Sequence, residues 1–292
     1  MSVGVCYFTG TGNSLSVAKA IAWRIGGELI SIPAIVEKPR IKIEAGNIGI
    51  VFPCYLAPLS GVPLIVERFL EKLDAIESKY LFAICTCGGY EIVNALPTLR
   101  NLENKVASLG GTLSAKFSVR LPMNNLDYSH IPVPIVTNLD RIYAACDKKI
   151  VEICERLLHK KAEKYRVLGA MFNSMMTLMY RMIEKPCVEA LRVQAQEPGD
   201  SPLGFRELIH MTDKNIRVDE RCNSCGTCVK VCPARNIEIV DNRPVWRHRC
   251  EACFACDEWC PQGAIQHWSR ANGVKYHHPG VSLRDMVVKS GG

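Results

Sequence analysis

Residues 222–261 read CNSCGTCVKVCPARNIEIVDNRPVWRHRCEACFACDEWCP and contain the same cysteine pattern twice. Each copy is Cys-x2-Cys-x2-Cys-x3-Cys-Pro, running from Cys222 to Pro233 and from Cys250 to Pro261. Three thiolates spaced two residues apart can wrap a tight turn around one inorganic centre, whereas the fourth lies a helical turn further on and points away. Eight of the fifteen cysteines fall in these runs, and the other seven show no ligand spacing. The pattern predicts a metal-binding region with an internal repeat.

The spacing resembles that of bacterial-type ferredoxins, in which such runs hold 4Fe-4S clusters. The resemblance implies two clusters and transfer of electrons one at a time. In two-cluster ferredoxins the fourth cysteine of each run binds the cluster of the other run. The implied ligand sets are Cys222, Cys225, Cys228 and Cys260 for one cluster, and Cys232, Cys250, Cys253 and Cys256 for the other.

Structural zinc is the alternative interpretation, because Cys-x2-Cys pairs also build zinc sites. Zinc needs only two such pairs, however, and gives no reason for a third step or for the following proline. Disulfides are disfavoured, because evenly stepped cysteines without a leader-like segment suit metal binding in a reducing compartment. We therefore expect a cytoplasmic iron–sulfur protein, typical of an anaerobic metabolism.

The other end of the chain contains a predicted phosphate loop. The apolar run 3–8 ends at Thr9-Gly10-Thr11-Gly12-Asn13-Ser14, and an amphipathic stretch, 15–25, follows. Glycines let the backbone approach an anion, hydroxyls can donate to its oxygens, and a helix N-terminus offers free N–H groups. A Walker A loop would need a lysine, and a dinucleotide fingerprint would need glycine where Leu15 stands. Neither is present.

The string TGTGNS directly after the first strand resembles the FMN phosphate loop of flavodoxins. The following order of elements agrees with that resemblance: strands at 28–32, 48–52, 81–85 and 112–119 alternate with helices at 63–73 and 96–109. A last helix, capped by Asn138, follows residues 121–134, which either cover the flavin edge or form a plain surface excursion. The predicted fold class is α/β, a flavodoxin-like doubly wound five-stranded parallel sheet, with a small α+β bacterial-type ferredoxin domain at the C-terminus.

Two further loops occupy the positions of the flavodoxin loops that enclose the isoalloxazine ring. One follows the third strand and the other follows the fourth, at the carboxyl edge where ligands of such sheets bind. Tyr55 and Tyr90 are the candidates for stacking on the ring, and Gly88 and Gly89 would bring backbone N–H groups to it. The residues implied for FMN are Thr9, Gly10, Thr11, Gly12, Asn13, Ser14, Pro53, Cys54, Tyr55, Leu56, Thr86, Cys87, Gly88, Gly89 and Tyr90.

The predicted domains are residues 1–165 for FMN, 166–204 as a helical connector and linker, and 205–292 for the clusters with a C-terminal extension. Residues 167–183 predict a buried or bridging helix, because the stretch is short and polar for a membrane span. Met171, Met175, Met179 and Met182 form a stripe on it that is typical of core packing. Residues 186–202 predict a linker, 213–218 a strand, and 237–246 a hairpin between the cysteine runs.

The formal charge of +7 does not indicate a nucleic-acid partner. Eight thiolates subtract about eight charges, two oxidised cubanes add about four, and a flavin phosphate subtracts about two, which leaves the loaded protein near +1. We therefore expect no nucleic acid and no membrane span.

The leading functional hypothesis is an electron-transfer flavoprotein that passes electrons between two 4Fe-4S clusters, FMN and a redox partner protein. The alternatives are a reductase in which flavin acts directly on a small oxidised substrate, and a cluster-bearing interaction module without flavin. No second nucleotide fingerprint and no evident acid near the flavin loops are found, which favours a carrier over an enzyme. The donor, the acceptor, the direction of flow and the formation of a homodimer stay open.

Overall fold

The computed structural model describes residues 2–57, 59–123, 139–159, 167–267 and 275–288, with the backbone alone for residues 167–178. The chain forms two compact units. The first contains residues 2–9, 13–123 and the helices up to Met182, and the second contains residues 10–12 and the described residues from Ile183 onwards. Most of the insertion predicted at 121–134, and the proposed cap Asn138, lie outside the described residues.

The first unit is built on a parallel sheet of five strands. They are β1 (Val3–Tyr7), β2 (Glu28–Ser31), β3 (Asn47–Pro53), β4 (Tyr80–Cys87) and β5 (Leu113–Arg120), in the spatial order β2-β1-β3-β4-β5. This is the flavodoxin-like order, and its direction reverses between β1 and β3. The predicted α/β fold class is confirmed, although β4 continues two residues beyond its predicted end.

The helices up to Gln194 in the described part of the chain are α1 (Asn13–Ile25), α2 (Ile32–Ile35), α3 (Leu64–Lys72), α4 (Ala95–Ser108), α5 (Leu139–Leu158) and α6 (Val167–Gln194). Of these, α1, α2, α4 and α5 contact strands of the sheet. Apolar side chains at helical spacing on α1 and α5, such as Ile21 and Ile150, join Val51 and Phe117 of the sheet in one core. Burial of both faces explains why the central strands β3 and β4 are apolar along most of their length.

Close packing within the sheet gives a stability prediction at Gly49. A methyl group there would lie 2.3 Å from Cζ of Phe82, whose ring is buried and has no room to move. We expect Gly49→Ala to lower the free energy of unfolding by about 1–3 kcal/mol, because overpacking forces strain into the core. Urea unfolding measures the change. Gly46→Ala is the matched control, since a methyl group there meets nothing within 4 Å; equal stability of the two variants would contradict the prediction.

The connector differs from the sequence-based expectation. Helix α6 does not stop before Pro186 but continues through it to Gln194, so the predicted linker at 186–202 is helical over its first half. A proline removes one helical hydrogen bond, which a long helix tolerates because its neighbours continue to pair. Met179 and Met182 are exposed, the latter by 74%, so packing of these two in a core is wrong. The side chains of Met171 and Met175 lie outside the described residues.

The second unit consists of short elements. They are α7 (Phe205–Met211), β6 (Arg217–Val218), α8 (Thr227–Val231), β7 (Ile237–Val240), β8 (Arg243–Trp246), α9 (Ala255–Glu258), β9 (Ile265–Gln266) and α10 (Leu283–Met286). Strands β7 and β8 form the predicted hairpin, and β6 pairs antiparallel with β9. The strand predicted at 213–218 is instead a 3-10 turn, Thr212–Asn215, followed by the two residues of β6.

None of the helices in the described part of the chain combines the length and apolar character that crossing a membrane requires.

Candidate functional site

The second unit contains two cavities, each lined by four cysteines. The first site, as we call it, is lined by Cys222, Cys225, Cys228 and Cys260. The second site is lined by Cys232, Cys250, Cys253 and Cys256. Each site therefore combines three cysteines of one run with the fourth cysteine of the other run.

Backbone conformation in the two runs explains how three cysteines come to face one cavity. Ser224 and Gly226 adopt left-handed conformations, with φ of 58° and 70°. Ala252 and Phe254 hold the same offsets in the second run, with φ of 49° and 61°. Left-handed residues reverse the chain locally, so successive cysteines turn toward a common centre. Both halves of the repeat use the same turn.

The fourth cysteines reach the opposite sites through the packing of two short helices. Cys232 directly follows α8, and Cys260 comes two residues after α9. These helices contact each other, so the end of each lies beside the turn of the other run. Pairing of the cysteines across the repeat is thus a result of tertiary packing.

Apolar side chains complete both cavities. Ile239, Pro244 and Ile265 line the first site, whereas Ile216, Ile237, Trp246 and Phe254 are among those that line the second. Cys225 at the first site is the one exposed cysteine among the eight, while Cys228 at the first site and Cys232 and Cys253 at the second are buried.

Several of these cysteines are poor thiolates in the absence of a cation. Burial and, to a smaller extent, the neighbouring thiolates of the first site raise the pKa of Cys228 to about 11. At the second site, burial raises the pKa of Cys253 and Cys256 well above the usual range, and adjacent thiolates add to the effect. Iron relieves this repulsion, because a coordinated thiol is deprotonated outright. A set of four cysteines around an apolar cavity fits a 4Fe-4S cluster.

Two sulfurs of the second site also accept backbone hydrogen bonds. The N–H of Asn236 donates to Sγ of Cys232, and the N–H of Ala252 donates to Sγ of Cys250, both at 3.3 Å. Such bonds stabilise negative charge on cluster sulfurs. In the described part of the chain, no three His, Cys, Asp or Glu side chains, the eight cysteines included, are arranged to hold a single metal ion.

The predicted phosphate loop leads directly into α1. The helix begins at Asn13, and its first turn carries no acidic residue. Oγ of Ser14 lies 2.8 Å from Oγ1 of Thr86, and Nδ2 of Asn13 donates to the carbonyl of Pro122. Both residues are buried. The start of α1 is thereby fixed to the loops that follow β4 and β5, at the carboxyl edge of the sheet.

The two loops expected around a flavin ring have different environments. In the loop after β3, the ring of Tyr55 packs edge-on against Phe8 with centroids 6.0 Å apart. In the loop after β4, Tyr90 is 49% exposed. A side chain at Gly88 would meet Cβ of Met123 at 2.5 Å, and one at Gly89 would meet Nδ2 of Asn94 at 2.4 Å. Glycine is therefore needed here for packing of the loop as well as for any approach to a ligand.

Residues 221–265 match the family model described as a 4Fe-4S dicluster domain. The chain thus has a sheet with the flavodoxin-like strand order, followed by a region that resembles a 4Fe-4S dicluster domain. No curated protein matches the chain.

Among solved structures, a putative flavoprotein from Bacteroides uniformis is 18% identical over 42% of this chain and 92% of its own, with a TM-score of 0.34. A Streptococcus pneumonia flavodoxin is 12% identical over 55% and 99% of the two chains, with a TM-score of 0.38. The Fusobacterium nucleatum flavodoxin bound to flavin mononucleotide is 14% identical over 53% and 98%, with a TM-score of 0.35.

Cysteines of the flavodoxin-like domain have different reactivities. Cys54, just after β3, is half-buried, and its Sγ lies 3.1 Å from Oγ1 of Thr98. Hydrogen bonds from Cys85 and then Thr98 lower the pKa of Cys54, although burial opposes them. Burial raises the pKa of Cys85 and Cys87 well above the usual range. Sequence spacing did not separate these three cysteines; the contact with Thr98 on α4 does.

We expect iodoacetamide to modify Cys54 faster than Cys85 and Cys87, because the thiolate is the nucleophile. Cys85→Ala should slow alkylation of Cys54, since loss of the hydrogen bond that contributes most to lowering the pKa of Cys54 reduces its thiolate fraction at neutral pH. Peptide mapping by mass spectrometry measures the rates, with Cys187 as an internal reference. A rate at Cys54 that does not change relative to Cys187 would count against this assignment.

Sequence reasoning missed a group of residues around the second site of the dicluster domain. Asp213, Asn236 and Glu251 are buried polar residues close to its cysteines. No spacing rule identifies them, because Asp213 lies in a different element from the cysteine runs. The one indication in the sequence was the position of Glu251, an acidic residue that directly follows Cys250.

Proposed function

We propose that this protein is an electron-transfer iron–sulfur flavoprotein, in which electrons pass between two 4Fe-4S clusters, FMN and a redox partner protein. The observation that carries the proposal is the presence of two four-cysteine cavities in one small unit, each built from both cysteine runs. Single-electron transfer is the ordinary role of such centres. The flavodoxin-like sheet that precedes them in the chain is suited to binding a second redox group.

The eight cysteines of the two sites would hold the clusters as thiolates. The apolar walls of the sites limit the access of water, which protects the clusters and lowers the local dielectric constant. The left-handed residues in the two turns fix the positions of the sulfurs before iron binds. No further ligand is needed from the histidines nearby, because each site already supplies four sulfurs.

FMN would bind at the carboxyl edge of the sheet. Thr9, Thr11, Asn13 and Ser14 would hold its phosphate together with the N-terminus of α1, where free N–H groups favour an anion. Tyr55 and Tyr90 would flank the ring, and the loop at Gly88 and Gly89 would offer backbone N–H groups to its polar edge. Bound FMN supplies a carrier that takes one or two electrons, whereas each cluster carries one.

Anaerobic purification followed by quantitation of iron, sulfide and flavin tests the proposal. We expect about eight iron atoms, about eight sulfides and about one FMN per chain. Zinc in place of iron, or about four iron atoms, would overturn the two-cluster assignment. About eight iron atoms per chain without FMN, even after incubation with excess FMN, would indicate an electron carrier that holds clusters only. That result would overturn the assignment as a flavoprotein.

A further inference from the structure

We propose that buried carboxylates make the cluster of the second site the harder of the two to reduce, so that an electron shared within the dicluster domain rests on the first site. The inference rests on the proposed function, because it requires both clusters. It concerns the direction of electron flow, which the cysteine spacing leaves open.

Asp213 is the first of these carboxylates. It is 2% exposed and accepts hydrogen bonds at Oδ2 from Nδ2 of Asn236 at 2.7 Å and from the backbone N–H of His248 at 3.0 Å. Nδ1 of His248 lies 2.6 Å from Oδ1. The carboxylate is thereby held in place near the second site, because Asn236 lines that site and its backbone N–H donates to Sγ of Cys232.

Two more acids lie against the same site. Glu251 is 4% exposed and lines the cavity. It directly follows Cys250 in the chain. Asp257 is fully buried and directly follows Cys256. Three buried carboxylates therefore lie at or next to the second site.

The surroundings of the first site differ, because none of the residues that line it is acidic. Asp219 and Arg221, just before Cys222, form an ion pair, so their charges largely offset each other. Nζ of Lys275 donates to the carbonyl of Cys260 and also to that of Asp257.

Reduction adds one negative charge to a cluster that is already anionic with its four thiolates. A buried carboxylate opposes that charge strongly because the interior screens poorly, whereas no acidic residue lines the first site and its Cys225 is exposed. Backbone N–H groups donate to sulfurs at both sites, with more such bonds at the second. These are dipoles, whose effect on a potential is smaller than that of full buried charges. Charge and exposure thus favour reduction of the first site.

Potentiometric titration followed by EPR tests the inference on the complete, iron-loaded protein. Two separate one-electron potentials are expected. A water-soluble paramagnetic dysprosium chelate should broaden the cluster that is reduced first, because that cluster lies beside the exposed Cys225.

Variants then assign the charges. Asp213→Asn and Glu251→Gln should each make reduction at the lower potential easier by about tenfold in the equilibrium constant, which is ~59 mV for one electron. The higher potential should stay unchanged. Asp219→Asn is the matched control, because it removes a carboxylate close to the first site and should leave the lower potential unchanged.

The inference is overturned if the two clusters have one common potential, if the chelate broadens the cluster that is reduced last, or if the variants shift the higher potential instead. If one variant does not retain its iron, the other variant and the chelate experiment on the unmodified protein still test the inference. Failure of the proposed function is a different result: the unmodified protein would then contain fewer than about eight iron atoms.

Discussion

Cys260→Ala should prevent the first site from binding its cluster, although Cys260 belongs to the second cysteine run. The four sulfurs of that site are Cys222, Cys225, Cys228 and Cys260, and a cluster that loses one of four ligands is unstable or loses iron. Iron should fall from about eight to about four atoms per chain, and the EPR signal of one cluster should disappear. Cys232→Ala should remove the other cluster by the same argument.

Double variants separate this pairing from one in which each run holds its own cluster. Cys260→Ala combined with Cys222→Ala damages one site twice, so about four iron atoms should remain. Cys260→Ala combined with Cys250→Ala damages both sites, so iron should be nearly absent. The reverse outcome would show that each run supplies all four ligands to one cluster. Circular dichroism of each variant checks that the flavodoxin-like domain is still folded.

Thr9→Asp should abolish FMN binding while the eight cysteines retain their iron. Thr9 is a buried residue at the end of β1, where the phosphate loop begins. A carboxylate there replaces a hydroxyl donor by a negative charge next to a dianionic phosphate. Loss of a hydrogen bond to a charged group alone is worth about 1.5–3 kcal/mol, and repulsion adds to it, so affinity should fall by about 100-fold or more.

Quenching of FMN fluorescence on binding measures this affinity. Thr9→Ser is the matched control, because it keeps the hydroxyl and should bind FMN nearly as well as the unmodified protein. Riboflavin, which lacks the phosphate, gives a second comparison: its affinity should hardly differ between Thr9→Asp and Thr9→Ser. An equal loss for FMN and riboflavin would place the effect outside the phosphate loop.

Local patterns in the sequence were sufficient for most of the fold. Apolar runs of five to eight residues between glycine-containing loops predicted the strands of the sheet, because strands buried on both faces need apolar residues along their length. The string TGTGNS marked the passage from β1 to α1, since the loop and the helix start are adjacent in sequence. The repeat of the cysteine pattern predicted two similar halves for the same reason.

Predictions failed where the decisive partner lies far along the chain. Residues 213–218 have the composition of a strand, yet Asp213 lies in a 3-10 turn. Its carboxylate is held by Asn236 and His248, which are 23 and 35 residues away. Helix α6 likewise passes through Pro186, although a proline usually marks a boundary in a sequence.

The sequence by itself determined the order of strands and helices, the phosphate loop and the two cysteine runs, because each depends on residues within about a dozen positions of one another. The resemblance to ferredoxins implied which cysteines share a cavity, but only the tertiary structure decided which carboxylates lie beside each site. Packing of α8 against α9 brings the fourth cysteine of each run to the opposite turn. Folding also buries Asp213, Glu251 and Asp257 at or next to one site, whereas no acidic residue lines the other. Charge acts through space at close range, so its effect on the two sites depends on folded distances that the spacing of residues does not contain.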